Sequence, residues 1–340
     1  MNFMASIDIK PLDIPVKYGD KLFLIGSCFT EHIGNALGGL KYDVLQNPNG
    51  ILFDPASVVN SIMSYIENRQ YQPEQLFLLN EVYNSWAHHS RFSHIDAATA
   101  IGIINDSQNQ AHRFLQEADW VIITLGSSFS YRLQEAAPGH SAVTGLKNGV
   151  ANCHRAPQQW FNKHMLEIEE TISLLDNCYH RLKKFNPKVK IIFTVSPVRH
   201  LRDGVVANNR SKARLIEAVH HMVNKFTDLF YFPAYELVID VLRDYRFYDI
   251  DLAHPNYQAT EYVMQRFTES CIDKTSQALM QEVRQLIIAR NHKAFQPETA
   301  AHRRFLQNHA AKAKALQEAH PFLNFTEEIK YFENQGSGLD

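Results

Sequence analysis

Apolar positions along the chain fall into two recurring patterns. Short unbroken runs occur at Leu22–Ile25, Val121–Leu125 and Ile191–Val195. None alternates with polar residues, as expected of parallel strands covered on both faces. Each run stops at small or turn-forming residues, namely GSCF, GSS and SP. Between the runs the apolar spacing becomes helical. Residues 30–40 place Ile33, Ala36, Leu37 and Leu40 on one face, and residues 55–67 start behind Asp54 as N-cap with Pro55 at the first helical position. A long amphipathic helix is expected from Pro157 to Lys184, and another from Ser211, read as an N-cap, to Asp228. Alternating strands and helices predict a three-layer α/β/α sandwich around a parallel sheet.

Residues 71–118 read as an insertion, with a hairpin turning at Asn84–Ser85 and a helix near 107–118. Residues 273–318, rich in Ala, Gln and Lys/Arg, predict a helical extension broken near Pro297, and the tail ENQGSGLD predicts disorder. The expected organisation is therefore a catalytic domain over 1–272 and a helical extension over 273–340.

Composition narrows the function classes. With 340 residues, 45% hydrophobic and 21% charged, the chain can bury a large core. A net charge of -2 supplies no general attraction to nucleic acid or an anionic membrane. No apolar run reaches the ~18 residues of a membrane span, and the start lacks the order of a signal peptide, so the cytoplasm is the expected compartment. Cys28, Cys153, Cys178 and Cys271 form no CxxC pair, which argues against a disulfide framework or a cysteine zinc site. His88, His89 and His94 lie near Asp96, but adjacent residues of a hairpin face opposite ways, so no metal and no cofactor are expected.

Two motifs carry chemistry. Gly26-Ser27-Cys28-Phe29 joins the first strand to a helix, where open α/β sheets form their crevice. A serine there lies against a helix N-terminus, whose free N–H groups favour an oxyanion. Near the end of the sheet region, Asp251-Leu252-Ala253-His254 can supply a base and its carboxylate from one loop. Serine needs such a base, and the imidazole needs a carboxylate to fix its tautomer. Cys28 is the more nucleophilic neighbour but reads as a packing residue. Arg199 and His200 follow the third strand and could meet an anionic substrate group, or Arg199 could pair with Asp203 or Asp244. His154 reads equally as a pocket residue or a loop histidine bonded to backbone. The aromatic segment Tyr231–Tyr248 reads as packing.

An early strand-end serine with a late DxxH resembles the SGNH/GDSL hydrolases. The set GSCF, NPNGILFDP, TLGSSFSYR, ANCHRAP, SPVRHLRDG and FPAYELVIDVLRDYRFYDIDLAHPN resembles the GSCFA domain family over residues 20–265. The resemblance implies a flavodoxin-like sandwich with Ser27 as nucleophile and Asp251 and His254 as its partners. Asn47 and Gly50, in NPNG, would stand in the oxyanion-hole glycine block. The third block has no asparagine and offers Gly126, Ser127 and Ser128 instead. The implied function is a serine acyl hydrolase, with a small-molecule or carbohydrate O-acyl ester as partner. An O-acyltransferase with the same residues, a phosphodiester hydrolase using Arg199 and His200, and a binding protein that retains the fold remain alternatives. Oligomeric state is left open by the sequence.

Overall fold

The computed structural model describes residues 5–140 and 149–337. They group into two compact units. The first holds Lys21–Gly34 and Val44–Phe267 with the N-terminal segment to Lys10; the second holds Pro11–Asp20, Asn35–Asp43 and the chain from Thr268.

The chain begins its regular structure with β1 (Lys21–Gly26), α1 (Cys28–Gly39), β2 (Asp43–Gln46) and α2 (Pro55–Ile66). Next come the hairpin β3 (Phe77–Leu79) and β4 (Val82–Asn84), α3 (Ala97–Glu117), β5 (Trp120–Leu125) and β6 (Phe129–Leu133). After these follow β7 (Phe161–Met165), α4 (Ile168–Phe185), β8 (Lys190–Val195), α5 (Val205–Lys225), β9 (Leu229–Tyr231) and the short α6 (Ala234–Glu236). The last helices are α7 (Tyr257–Cys271), α8 (Lys274–Asn291), α9 (Ala300–Ala319) and α10 (Thr326–Ser337).

Five strands form the central sheet in the order β2-β1-β5-β8-β9. The ladders β1–β5, β5–β8 and β8–β9 are parallel, with Ile25 opposite Ile123 and Ile123 opposite Phe193. Along each strand the two faces have separate partners. Phe23, Ile25, Val121, Ile123, Ile191 and Phe193 join one core with residues of α2, α3, α4 and α5. Their alternates Leu22, Leu24, Trp120, Ile122 and Ile192 are buried as well. Burial of this kind contributes roughly 1.5–3 kcal/mol per large aliphatic side chain. Both faces being covered explains why the sequence shows unbroken apolar runs. The fold is the expected α/β/α sandwich, followed by C-terminal helices.

Local expectations divide. Asp54 does cap α2, its carboxylate accepting from Ser57 N at 3.1 Å. The hairpin turns at Asn80–Glu81, not Asn84–Ser85, because both residues adopt positive φ (51° and 64°). The expected helix from Pro157 is instead β7, which pairs antiparallel with β6, and α4 starts only at Ile168 behind a Glu167–Glu170 capping box. α3 starts at Ala97 behind Asp96, ten residues earlier than the expected helix. α5 starts at Val205, so Ser211 lies inside the helix and caps nothing. Residues 333–337 of the tail are helical, in α10; 338–340 lie outside the described residues. No helix of the described residues is long and apolar enough to cross a membrane.

Within the second unit, Glu328 is almost fully enclosed and gathers two cations. Lys41 Nζ reaches both carboxylate oxygens at 2.9 Å, and Arg290 Nη1 reaches Oε1 at 2.9 Å. Burial opposes its ionisation, but the Lys41 hydrogen bond and charge prevail and hold the carboxyl below its usual range. Glu328→Gln should lower unfolding stability by on the order of 2 kcal/mol, since charge-assisted bonds are lost at a buried site. A depressed acid stabilises above its unfolded pKa and loses that contribution as pH falls. Urea melts should therefore show a wild-type advantage at pH 7 that shrinks toward pH 3.

Candidate active site

The strand order is the doubly wound 2-1-3-4-5 arrangement, whose direction of winding reverses between β1 and β5. Crevices at the carboxyl ends of the strands beside that reversal are the usual ligand sites of such sheets. Ser27 follows β1 and Gly126 follows β5, so both stand at this point.

Gly26 sets the turn. Its φ is 141°, and a β-carbon there would lie 2.1 Å from Thr124 O. No side chain fits, because the chain passes against the backbone of β5. Ser27 N then donates to Thr124 O at 3.1 Å, and Gly26 N donates to Asn47 Oδ1 at 2.9 Å. Ser27 is buried at the N-terminus of α1, its Oγ accepting from Phe29 N at 3.3 Å. Burial pushes the neighbouring Cys28 thiol up, so it is held as a thiol.

The expected oxyanion residues are clustered here, but most of their N–H groups are engaged. Gly50 N donates to Asn47 O at 2.7 Å, and Gly126 N and Ser127 N both donate to Phe53 O, at 2.8 and 3.0 Å. Ser128 N donates to Ser211 Oγ at 2.7 Å, and Ser211 Oγ lies 3.2 Å from Ser127 Oγ. Gly50 serves the turn geometry: its φ is 87°, and a β-carbon would strike His89 Cβ at 2.1 Å. The N–H of Cys28 opens α1, in the first turn where backbone donors have no partner within the helix. Asn47 Nδ2 is buried without a hydrogen-bond partner.

Asp251 and His254 form a compact unit on their own loop. Asp251 Oδ2 meets His254 Nδ1 at 2.5 Å, while Oδ1 accepts from the backbone N–H groups of Ala253 and His254, both at 3.0 Å. Those backbone bonds and the imidazole bring the Asp251 carboxyl down to about 2. An ionised Asp251 selects the tautomer with a proton on Nδ1, leaving Nε2 to accept one. Nε2 has no hydrogen-bond partner among the described residues.

A relay of contacts runs from the DxxH loop to Gly126, beside Ser27. Arg199 N donates to Ala253 O at 3.2 Å, tying the loop after β8 to the DxxH loop. The Arg199 guanidinium stacks 5.3 Å from the Tyr248 ring and pairs with neither Asp203 nor Asp244. His200 meets Phe53 edge-on at 5.2 Å, and burial drives its imidazole down to about 4, so it is neutral at pH 7. Phe53 in turn flanks Gly126, where a β-carbon would sit 3.2 Å from the Phe53 ring and 3.3 Å from Ser27 Cβ. His154 lines a cavity together with Phe53 and is held by backbone as well. Its Nε2 lies 2.8 Å from Ser85 O, and its ring meets Phe77 and Trp86 edge-on. His88 is likewise enclosed against Ser85 Oγ, its imidazole pushed down to about 3 by burial.

Sequence reasoning missed Lys212. This lysine of α5 is 1% exposed, and its Nζ donates to Gly126 O and Ser196 O, both at 2.6 Å. It therefore joins the loops that leave β5 and β8, with the Tyr235 ring 5.9 Å away. No carboxylate pairs with it among the described residues, and burial drives the amine down to about 7. Two acceptors match the two N–H groups of a neutral amine. The one signal in the sequence was Ser-Lys within an otherwise polar helix, which carries no mark of burial.

These features define a doubly wound α/β protein with a serine at the sheet's reversal point. The chain belongs to the GSCFA family: that family's model matches residues 21–267, and the model described as GSCFA domain protein, C-terminal domain, matches residues 283–337. No curated protein matches the chain.

Two substitutions test this construction. Gly26→Ala should leave little folded protein, or fold with Ser27 displaced, which circular dichroism and the labelling below would separate. Lys212→Met should destabilise by about 1–3 kcal/mol through its two stranded carbonyls. A depressed lysine means that the unfolded chain binds more protons than the folded one between about pH 7 and its normal range. Wild-type stability should thus rise from pH 7 to pH 9 relative to Lys212→Met in denaturant melts.

Proposed function

We propose that the protein is a serine-dependent acyl hydrolase in which Ser27 is the nucleophile, His254 its base and Asp251 the carboxylate that orients the base. The observation that carries this reading is the Asp251–His254 pair, whose geometry leaves Nε2 as a proton acceptor on a loop that Arg199 N holds by the carbonyl of Ala253. Ser27 Oγ attacks the ester carbonyl carbon while its proton moves to His254 Nε2. The tetrahedral oxyanion is met by the Cys28 N–H at the start of α1, with the unpartnered Asn47 Nδ2 as a second donor. Collapse expels the alcohol, which takes the proton from His254, and leaves an acyl group on Ser27. Water, deprotonated by His254, then releases the acid. A carbohydrate O-acyl ester is the substrate class of this reading. An acceptor alcohol in place of that water would make the same site an acyltransferase.

The test is covalent labelling with a fluorophosphonate, followed by intact-mass spectrometry. Wild type should gain one adduct, Ser27→Ala none, and His254→Ala none on the same time scale. Asp251→Asn should retain the site but label on the order of 10²–10⁴-fold more slowly, because the imidazole loses its orienting charge. Normal labelling of Ser27→Ala would overturn the assignment, and a well-folded wild type without an adduct would favour a binding role for the fold.

A further inference from the structure

A second cavity of about 620 Å³ lies behind Phe53, lined by the β6–β7 hairpin and by residues 150–156. Its size suits a ligand of monosaccharide to dinucleotide dimensions. Phe129, Tyr131 and Phe161 supply ring surface, the last two meeting edge-on at 6.2 Å. Arg155 and Arg202 also line the cavity. Neither forms an ion pair among the described residues. The acid nearest in sequence to Arg202, Asp203, is engaged by Lys163.

The single carboxylate of the lining is Asp54, and it is committed elsewhere. Its oxygens accept from Ser57 N at 3.1 Å and from Ser57 Oγ at 2.6 Å, as the cap of α2. The cavity thus presents two arginines without ion-pair partners among the described residues and the rings of Phe53, Phe129, Tyr131 and Phe161. Guanidinium forks match carboxylate and phosphate oxygens, and ring faces accept the apolar face of a sugar. Phe53 is the wall between this cavity and Gly126, which touches Ser27.

We propose that this cavity binds the body of the ester and that the body carries an anionic group, a carboxylate or a phosphate, held between Arg155 and Arg202. The proposal rests on the acyl-hydrolase reading only in calling the ligand an ester; the anion site stands on the cavity itself. Placed there, an acidic sugar would leave its acyl group to pass Phe53 toward Ser27, with no charge brought near the buried Lys212.

Binding is measured by calorimetry on the full-length Ser27→Ala protein, so that turnover plays no part. The probes are methyl O-acetyl-glucuronoside, methyl O-acetyl-glucoside 6-phosphate and the uncharged methyl O-acetyl-glucoside. At least one anionic probe should bind about tenfold or more tightly than the neutral one, the worth of a charge-assisted bond in this setting. The stronger of the two anionic probes identifies carboxylate or phosphate as the group recognised. Adding Arg155→Gln and Arg202→Gln should bring that ratio close to one, with the melting temperature unchanged because both side chains are exposed. Equal binding of all three probes, binding of none, or a preference that survives both arginine substitutions would overturn the proposal. Loss of fluorophosphonate labelling in wild type would instead count against Ser27 and leave the calorimetric result standing.

Discussion

The carboxyl edge of the sheet depends on one buried amine. Strands β5 and β8 end side by side, and the carbonyls of Gly126 and Ser196 at those ends point to the same spot, where no water reaches. Lys212 fills it with two N–H donors at 2.6 Å. A carbonyl stranded there would cost about 1–3 kcal/mol, and a fixed ammonium without a counter-ion would cost more. A lysine whose proton is easily lost meets both demands. Its neighbour Ser211 extends the same service to Ser128 N, so one turn of α5 fixes the whole loop after β5.

From that anchor the candidate site follows by contact. The fixed Gly126 backbone hangs on Phe53 O and packs beside Ser27, and Gly26 keeps β1 so close to β5 that Ser27 N reaches Thr124 O. On the far side, the loop after β8 carries Arg199, whose N–H holds the Asp251–His254 loop by the carbonyl of Ala253. The serine is therefore set on rigid backbone, while the imidazole is borne by a half-exposed loop whose order comes from Asp251. In the proposed reaction this puts the nucleophile on the rigid element and the base on the softer one.

How much of this the sequence disclosed depended on whether the signal was local. The three central strands were legible because burial on both faces leaves nothing but apolar residues in them. Asp54-Pro55 announced α2, since capping chemistry lies within three residues. β7 was not legible: its partner β6 is about thirty residues away, its own side chains are half exposed, and FNKHM has no strong period. Ser211 looked like a cap because Asn208, Asn209 and Arg210 weaken the helical pattern before it; the structure shows Asn208 bonding His200 N instead. Asp251 and His254 stood out by their DxxH spacing, and Ser27 by its place between a strand and a helix. Lys212 could not, because its role exists only where two strand ends meet. The engaged N–H groups of Gly50, Gly126 and Ser127 are of the same kind, visible once the loop after β2 and the Phe53 carbonyl are in place.

The central claim is that His254 serves Ser27, and a crystal structure of the fluorophosphonate-treated protein tests it most directly. The account predicts phosphorus bonded to Ser27 Oγ, with His254 Nε2 within about 3 Å of Oγ or of an adduct oxygen. It also predicts the Asp251–His254 bond intact and a phosphoryl oxygen facing the Cys28 N–H. Phosphorus on Cys28 or on any other side chain would contradict it, as would a His254 ring separated from the adduct by more than one water molecule.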